Sequence, residues 1–170
     1  MVEDRFLPDA NTFITAYQTS YAFDIAPGYW KQLKPVLLRK NVVILDVVKA
    51  ELEKGEDELT EWFRSIDELP VLDRKDSEIF ANYVKVLRFL QESPMYTEKA
   101  LREWSDEKVA DPWLIAAARA KGVKIVTFEK GLGHITMASG RPKIPDVARE
   151  FGVECIDLYT FMRKENIKWN

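Results

Sequence analysis

Carboxylates dominate the reactive side chains of this sequence, which has 28 Asp and Glu against one histidine, His134, and one cysteine, Cys155. A lone cysteine excludes an internal disulfide and a cysteine zinc site. A lone histidine excludes any multi-histidine metal site and leaves little room for triad chemistry. Four acids stand out by position. Asp9 follows a first apolar segment, and Glu51 lies one turn into the helix after a second. Asp111 opens the helix that leads into a third, and Glu129 follows that third segment in IVTFE. If these segments are parallel strands, all four acids can converge outside the strand carboxyl ends, where doubly wound sheets bind ligands. Clustered carboxylates raise one another's pKa and coexist as anions only around a cation. Mg²⁺ or Mn²⁺ takes a few carboxylates plus water and leaves positions for phosphate oxygens. Such an ion activates water, so phosphodiester hydrolysis would need no histidine.

The elements that must position these acids follow from pattern. RFLP, at 5–8, reads as a strand cut off by Pro8, with a helix from Asn11. Gly28–Lys40 carries Trp30, Leu33 and Leu37 at helical spacing,. Val42–Leu45 is a continuous apolar run, as a strand buried on both faces requires. Asp46 then offers a cap for a helix over Val47–Lys54, stopped by Gly55. Residues 56–105 read as a helical insertion, with helices over Leu59–Ile66, Ser77–Gln91 and Thr97–Trp104. Asp111-Pro112 is a strong helix start, with Asp as cap and Pro at the first position, and Gly122 ends that helix. Val123–Thr127 is β-branched. A Gly-rich loop follows to Lys143, then a helix after Pro145, a strand over Val153–Ile156 and a helix capped by Asp157. Alternating strands and helices predict an α/β/α sandwich around a parallel sheet.

The length of 170 residues fits one domain spanning 1–170,. The net charge of −3 excludes a generic polyanion binder, but the charge is uneven. Residues 46–78 hold twelve acids and five bases, a net of −7, whereas residues 119–149 hold seven bases and two acids, a net of +5. Lys130, Arg141 and Lys143, in the loop after Glu129, are therefore candidate phosphate contacts, with Asn11 and Thr12 as further candidates beside Asp9. No apolar run approaches membrane-spanning length and the first residues lack a signal-peptide core, so a soluble cytoplasmic protein is expected.

FLPDANTFI, ILDVVKAELEKG, ADPWLIAAA and KIVTFEK, in that order, resemble the PIN-domain pattern, and the likeness runs from Phe6 to about Met162. It is nearest to PIN-like proteins of unassigned function with DPW in the third motif, and more distantly similar to VapC-type ribonuclease toxins of toxin–antitoxin pairs. The resemblance implies a PIN-like fold and a metal-dependent endoribonuclease. Asp9, Glu51, Asp111 and Glu129 would be the catalytic acids, holding Mg²⁺ or Mn²⁺. It implies RNA as substrate, with a small antitoxin and a homodimer as partners. Two departures stand out: the fourth acid is Glu129 where Asp is usual, and the insertion between the second and third motifs is long.

Each residue also has an ordinary role open to it. Asp9 and Asp111 can simply cap helices, Glu51 competes with Glu53 as surface charge, and Glu129 can be a solvated loop residue. His134 reads as surface, the acid run Glu56–Glu58 as a solvated face, Trp113 as packing and Cys155 as buried in the last strand. A haloacid-dehalogenase-type phosphatase would need a second Asp at position 11, which is Asn. A non-catalytic PIN-like module binding RNA or protein is the stronger alternative.

Overall fold

The computed structural model describes residues 3–168. Its strands are β1 (Phe6–Pro8), β2 (Ile44–Leu45), β3 (Val71–Leu72), β4 (Lys124–Val126) and β5 (Cys155–Ile156). β1 pairs with β4, β4 with β5 and β2 with β3, all parallel. A parallel bridge between Phe6 and Val42, and a bond from Val43 N to the Phe6 carbonyl at 3.0 Å, join the two pieces. The spatial order is therefore β3-β2-β1-β4-β5. Strand order reverses between β1 and β4, which is the switch point of a doubly wound sheet. Asp9 ends β1 and Glu129 lies just past β4, so both flank that point.

The helices are α1 (Ala10–Thr15), α2 (Pro27–Leu37), α3 (Asp46–Glu53), α4 (Glu58–Arg64), α5 (Ser77–Glu92), α6 (Glu98–Trp104), α7 (Ala110–Lys121), α8 (Ile144–Glu150) and α9 (Leu158–Lys164). α1 continues into a π-helical segment, Ala16–Ser20, closed by Tyr21 N on the Ala16 carbonyl at 2.7 Å. α1, α3 and α4 pack in one series, α5 to α8 in another. Right-handed crossovers that run one way from β1 to β3, and the other way from β4 to β5, place these series on opposite faces. The α/β/α parallel-sheet architecture expected from the sequence is present. One hydrophobic cluster extends from Phe6 to Ile167. No helix among the described residues is long and apolar enough to cross a membrane.

Several local expectations are corrected. The segment 56–105 supplies three helices and also β3, which extends the sheet beside β2. The second strand contracts to two residues. α7 begins at Ala110, with Val109 in the cap position and no side-chain cap bond, so Asp111 sits inside the first turn. Asp46 likewise lies inside α3, where its Oδ1 accepts from Val47 N at 2.8 Å and Arg74 Nε lies 3.5 Å from Oδ2. α8 starts at Ile144, one residue before Pro145. Cys155 is half-buried rather than buried, and its thiol is pushed up to about 12, chiefly by desolvation and then by Asp9 and Glu129.

α7 is the structural spine beneath the site. Leu114, Ile115 and Ala116 to Ala118 are at most 1% exposed, so this helix is apolar nearly all round, as a helix covered on every side must be. Burying Leu114 and Ile115 stabilises the fold by about 1.5–3 kcal/mol each. Trp113 stacks on Tyr83 with ring centroids 3.6 Å apart, docking α7 on α5. Gly122 stops the helix at φ 62°, a left-handed position open to glycine,.

Candidate functional site

Capping alone does not distinguish Asp9. Asp9, Asp57 and Asp157 each accept from the backbone N–H of a threonine three residues on, at 2.7–2.9 Å. Burial does distinguish it, because Asp57 and Asp157 are exposed while Asp9 is 4% exposed. Its Oδ1 caps α1 through Thr12 N at 2.8 Å, and its Oδ2 accepts from the Thr127 hydroxyl at 2.6 Å. Thr127 Oγ1 also accepts from Glu129 N at 3.0 Å, so one hydroxyl links the first and fourth acids. Burial pushes the Asp9 carboxyl up and Glu129 adds to this, while the hydroxyl and amide bonds oppose it.

The other acids face the same space. Asp111 lines two adjoining cavities of about 300 and 260 Å³ together with Asp9 and Asn11; Glu129 borders the first and Glu51 the second. Desolvation pushes Asp111 up to about 7, helped by Glu129, Asp9 and Glu51 and opposed by Lys143. Glu51 is also raised, by desolvation and then by Asp9. Glu53 points elsewhere, pairing with Lys49 at 2.8 Å. Asp111 makes no hydrogen bond through its side chain among the described residues. Its nearest compensating charge is Lys143.

Glu129 is held at both carboxylate oxygens. Its Oε1 lies 3.0 Å from Lys143 Nζ, and its Oε2 accepts from Ile144 N at 2.7 Å. The loop from 130 to 143 thereby returns to the site. Asp146, which the sequence reading did not single out, holds the same loop by accepting from Leu132 N at 2.7 Å and Gly133 N at 3.1 Å. Gly131 passes so close to Asp146 that a Cβ there would meet its Oδ1.

The candidate phosphate contacts separate. Asn11 lines both central cavities. Thr12 is buried, and its hydroxyl donates to the Val126 carbonyl at 2.7 Å, so it braces β4 against α1 instead of facing a ligand. Lys143 is held on Glu129. Arg141 lines a cavity of about 510 Å³ that also borders Asp111 and Glu129. Lys130 is exposed and lines a cavity of about 520 Å³ that Thr127 and Glu129 also border, with Asp157 and Tyr159 on its far side. Part of the +5 of residues 119–149 is neutralised by acids outside the segment, since Lys121 pairs with Asp76 and Glu78, and Lys124 with Asp4 and Glu154. His134 is exposed in the loop.

Oxygen donors in this number suit a hard divalent ion. As placed, however, no three His, Cys, Asp or Glu side chains among the described residues form a metal-holding group. Asp9 and Glu129 carry donors on both oxygens, while Glu51 and Asp111 carry none among the described residues. A carboxylate oxygen has a second lone pair, so a bond already accepted leaves room for a ligand.

Thr127→Val tests this wiring. The substitution keeps the shape but strips a bond from a buried carboxylate and leaves Glu129 N without its acceptor. A loss of about 2–3 kcal/mol is expected at neutral pH. Removing the donor raises the folded pKa of Asp9 further, so the loss should shrink as acid protonates Asp9. Urea unfolding at pH 7 and pH 4 measures both, and equal losses at the two pH values would show that Asp9 is not the partner that matters.

Fold and site together define a doubly wound α/β protein with four carboxylates lining two adjoining cavities beside its switch point. The chain belongs to the family described as Domain of unknown function (DUF4411), whose model matches residues 6–169. No curated protein matches it. Among solved structures it is similar to "Crystal structure of DNA bound VapBC from Salmonella typhimurium", with a TM-score of 0.48 and 16% sequence identity, over 91% of this chain and 98% of that one.

Proposed function

We propose that this chain is a single PIN-like domain and a metal-dependent endoribonuclease. Asp9, Glu51 and Asp111 would hold Mg²⁺ or Mn²⁺, with Glu129 at a second position or reaching the ion through water. The observation that supports this reading is Asp111, a half-buried carboxyl lifted to about 7 beside three further acids. A cluster built this way is costly unless positive charge is delivered to it. When bound, the ion stabilises charge on the phosphoryl oxygens and activates the attacking water.

The chain's own side chains perform the rest. Thr12 N and Thr127 fix the Asp9 carboxylate in one orientation, while Ile144 N and Lys143 fix Glu129. Asn11, between Asp9 and Asp111, offers an amide donor to a phosphate oxygen. Lys143 offsets part of the acidic charge and keeps the loop against the site. The sequence resemblance extends the proposal to a cytoplasmic toxin whose small antitoxin inserts Arg or Lys among the acids, because a guanidinium can supply the missing positive charge.

Incubating the purified chain with single-stranded RNA tests the reading. Cleavage should appear with Mg²⁺ or Mn²⁺ and vanish in EDTA. Expression without an antitoxin should slow growth, whereas the Asp9→Asn form should be tolerated. The second reading, a non-catalytic module, is favoured by Lys143, whose ammonium already sits on Glu129 where an ion would add charge. RNA retention without cleavage under any divalent metal would establish that reading instead.

A further inference from the structure

The two central cavities open into larger ones at both ends. On the β2 side, a cavity of about 370 Å³ shares Glu51 and Lys108 with the central pair and is also lined by Lys54 and Arg74. On the β4 side, the cavity of about 510 Å³ shares Asp111 and Glu129 with them and is lined by Arg102 and Arg141. The four form one trough along the carboxyl ends of β3, β2, β1 and β4. Its centre is acidic and each end carries cations.

Pairing separates these cations into two kinds. Arg74 lies against Asp46, and Lys143 against Glu129. Lys54, Lys108, Arg102 and Arg141 are exposed, and none has an ion-pair partner among the described residues. The end-cavity acids other than Glu51 and Asp111 each have a partner. Glu103 faces Lys99 at 3.7 Å, Asp46 faces Arg74, and Asp106 Oδ1 accepts from Lys108 N at 3.0 Å.

Three strand spacings separate β3 from β4, about 14 Å. At a stacked rise of about 3.4 Å that is roughly four nucleotides. A mononucleotide could engage only one end. Asp9 is 4% exposed, so a flexible single strand reaches it more readily than the stiff backbone of a duplex.

We propose that single-stranded RNA lies along this trough, with Lys54 and Lys108 gripping phosphates on one side of the carboxylates and Arg102 and Arg141 gripping phosphates on the other. The inference rests on the nuclease reading of the central acids and specifies how that site meets its substrate. A strand gripped on both flanks presents an internal phosphodiester to the acids, which makes the cut endonucleolytic and independent of chain ends.

The test measures binding without cleavage. Anisotropy of a labelled 12-nucleotide single-stranded RNA is followed in EDTA across a salt series, for wild type, Lys54→Ala with Lys108→Ala, and Arg102→Ala with Arg141→Ala. Each double variant should bind at least tenfold more weakly at low salt. Each should also flatten the log–log salt dependence by about 1.4, for two lost contacts of about 0.7. The four side chains hold no partner among the described residues, so both variants should keep the wild-type melting temperature, checked by circular dichroism. A loss confined to one double variant, no loss in either, no wild-type binding, or equal binding of a 12-base-pair duplex would each overturn the proposal. Two-sided binding by a protein that never cuts RNA would sink the nuclease reading and leave the trough standing. Metal-dependent cleavage with unchanged salt slopes would do the reverse.

Discussion

Asp9→Asn should cut RNA at no more than about a thousandth of the wild-type rate while remaining folded. The size follows from what a metal-held carboxylate supplies, several kcal/mol of transition-state stabilisation, with 1.36 kcal/mol for each factor of ten. Folding should survive because the asparagine oxygen can still accept from Thr12 N, and Asn caps helices about as well as Asp,. The amide nitrogen then faces Thr127 Oγ1, which can accept it alongside the bond it already takes from Glu129 N,. Losing a buried charge offsets the displaced hydroxyl proton. Single-turnover cleavage with a melting curve on the same preparation checks both halves. A folded variant that retains a tenth of wild-type activity would show that Asp9 caps a helix and braces a loop and does nothing more.

That distinction was only half legible in the sequence. The three Asp-x-x-Thr caps at 9, 57 and 157 are identical as local patterns, and local pattern is what capping reasoning reads. Their difference is tertiary: β4 and Thr127 close over Asp9, and nothing closes over the other two. Asp111 was misplaced by the same local logic. Asp-Pro marks a helix start at Pro112, but the helix begins two residues earlier, at Ala110, which moves the carboxyl from the cap into the first turn and frees it to face the cavity. β3 was invisible for another reason. Val71 and Leu72 are two residues with one side exposed, too short for alternation to register, and only pairing with β2 makes them a strand.

Charge was the least legible property. A window sum marks 119–149 as a basic face, but salt bridges to residues outside it take up Lys121 and Lys124. The cations left unpaired beside the acids include Lys54 and Lys108, which fall in or near acid-rich stretches, and Arg102. A window average hides them because what matters is pairing, and pairing is set by the fold. Asp9 and Glu129 could be placed from the sequence because they follow β1 and β4, and the switch point between those strands is fixed by topology,.

Asp111→Asn should make the metal-free protein more stable at neutral pH and nearly insensitive to divalent metal. The folded pKa of Asp111, about 7, lies above the ordinary aspartate value of 3.8. The protonated carboxyl thus favours the folded state, and the ionised carboxyl opposes it. Below about pH 4 the group costs nothing, because it is protonated in both states. As pH rises from about 4 to 7 the unfolded chain ionises first, so stability falls by up to about 1.4 kcal/mol per pH unit. Above about 7 the penalty is complete, and its upper bound is about 4 kcal/mol. Water reaching this half-buried carboxyl reduces that bound, and a gain of about 1–2 kcal/mol at pH 8 is the expected measurement. Asn carries no charge, so the variant should show a flatter pH profile across this window and match wild type near pH 4. Mg²⁺ or Mn²⁺ binding only the folded form should raise the wild-type melting temperature by RT ln(1 + [L]/Kd) in free energy. That shift should grow from pH 6 to pH 8, because the metal competes with the proton on Asp111. The variant should lose most of it. Melting curves at pH 4, 6 and 8, with EDTA or metal, separate the outcomes. If wild type shows no metal shift and the variant melts no higher at pH 8, the carboxyl of Asp111 is not an uncompensated charge among the other acids, and the site has no call for a cation.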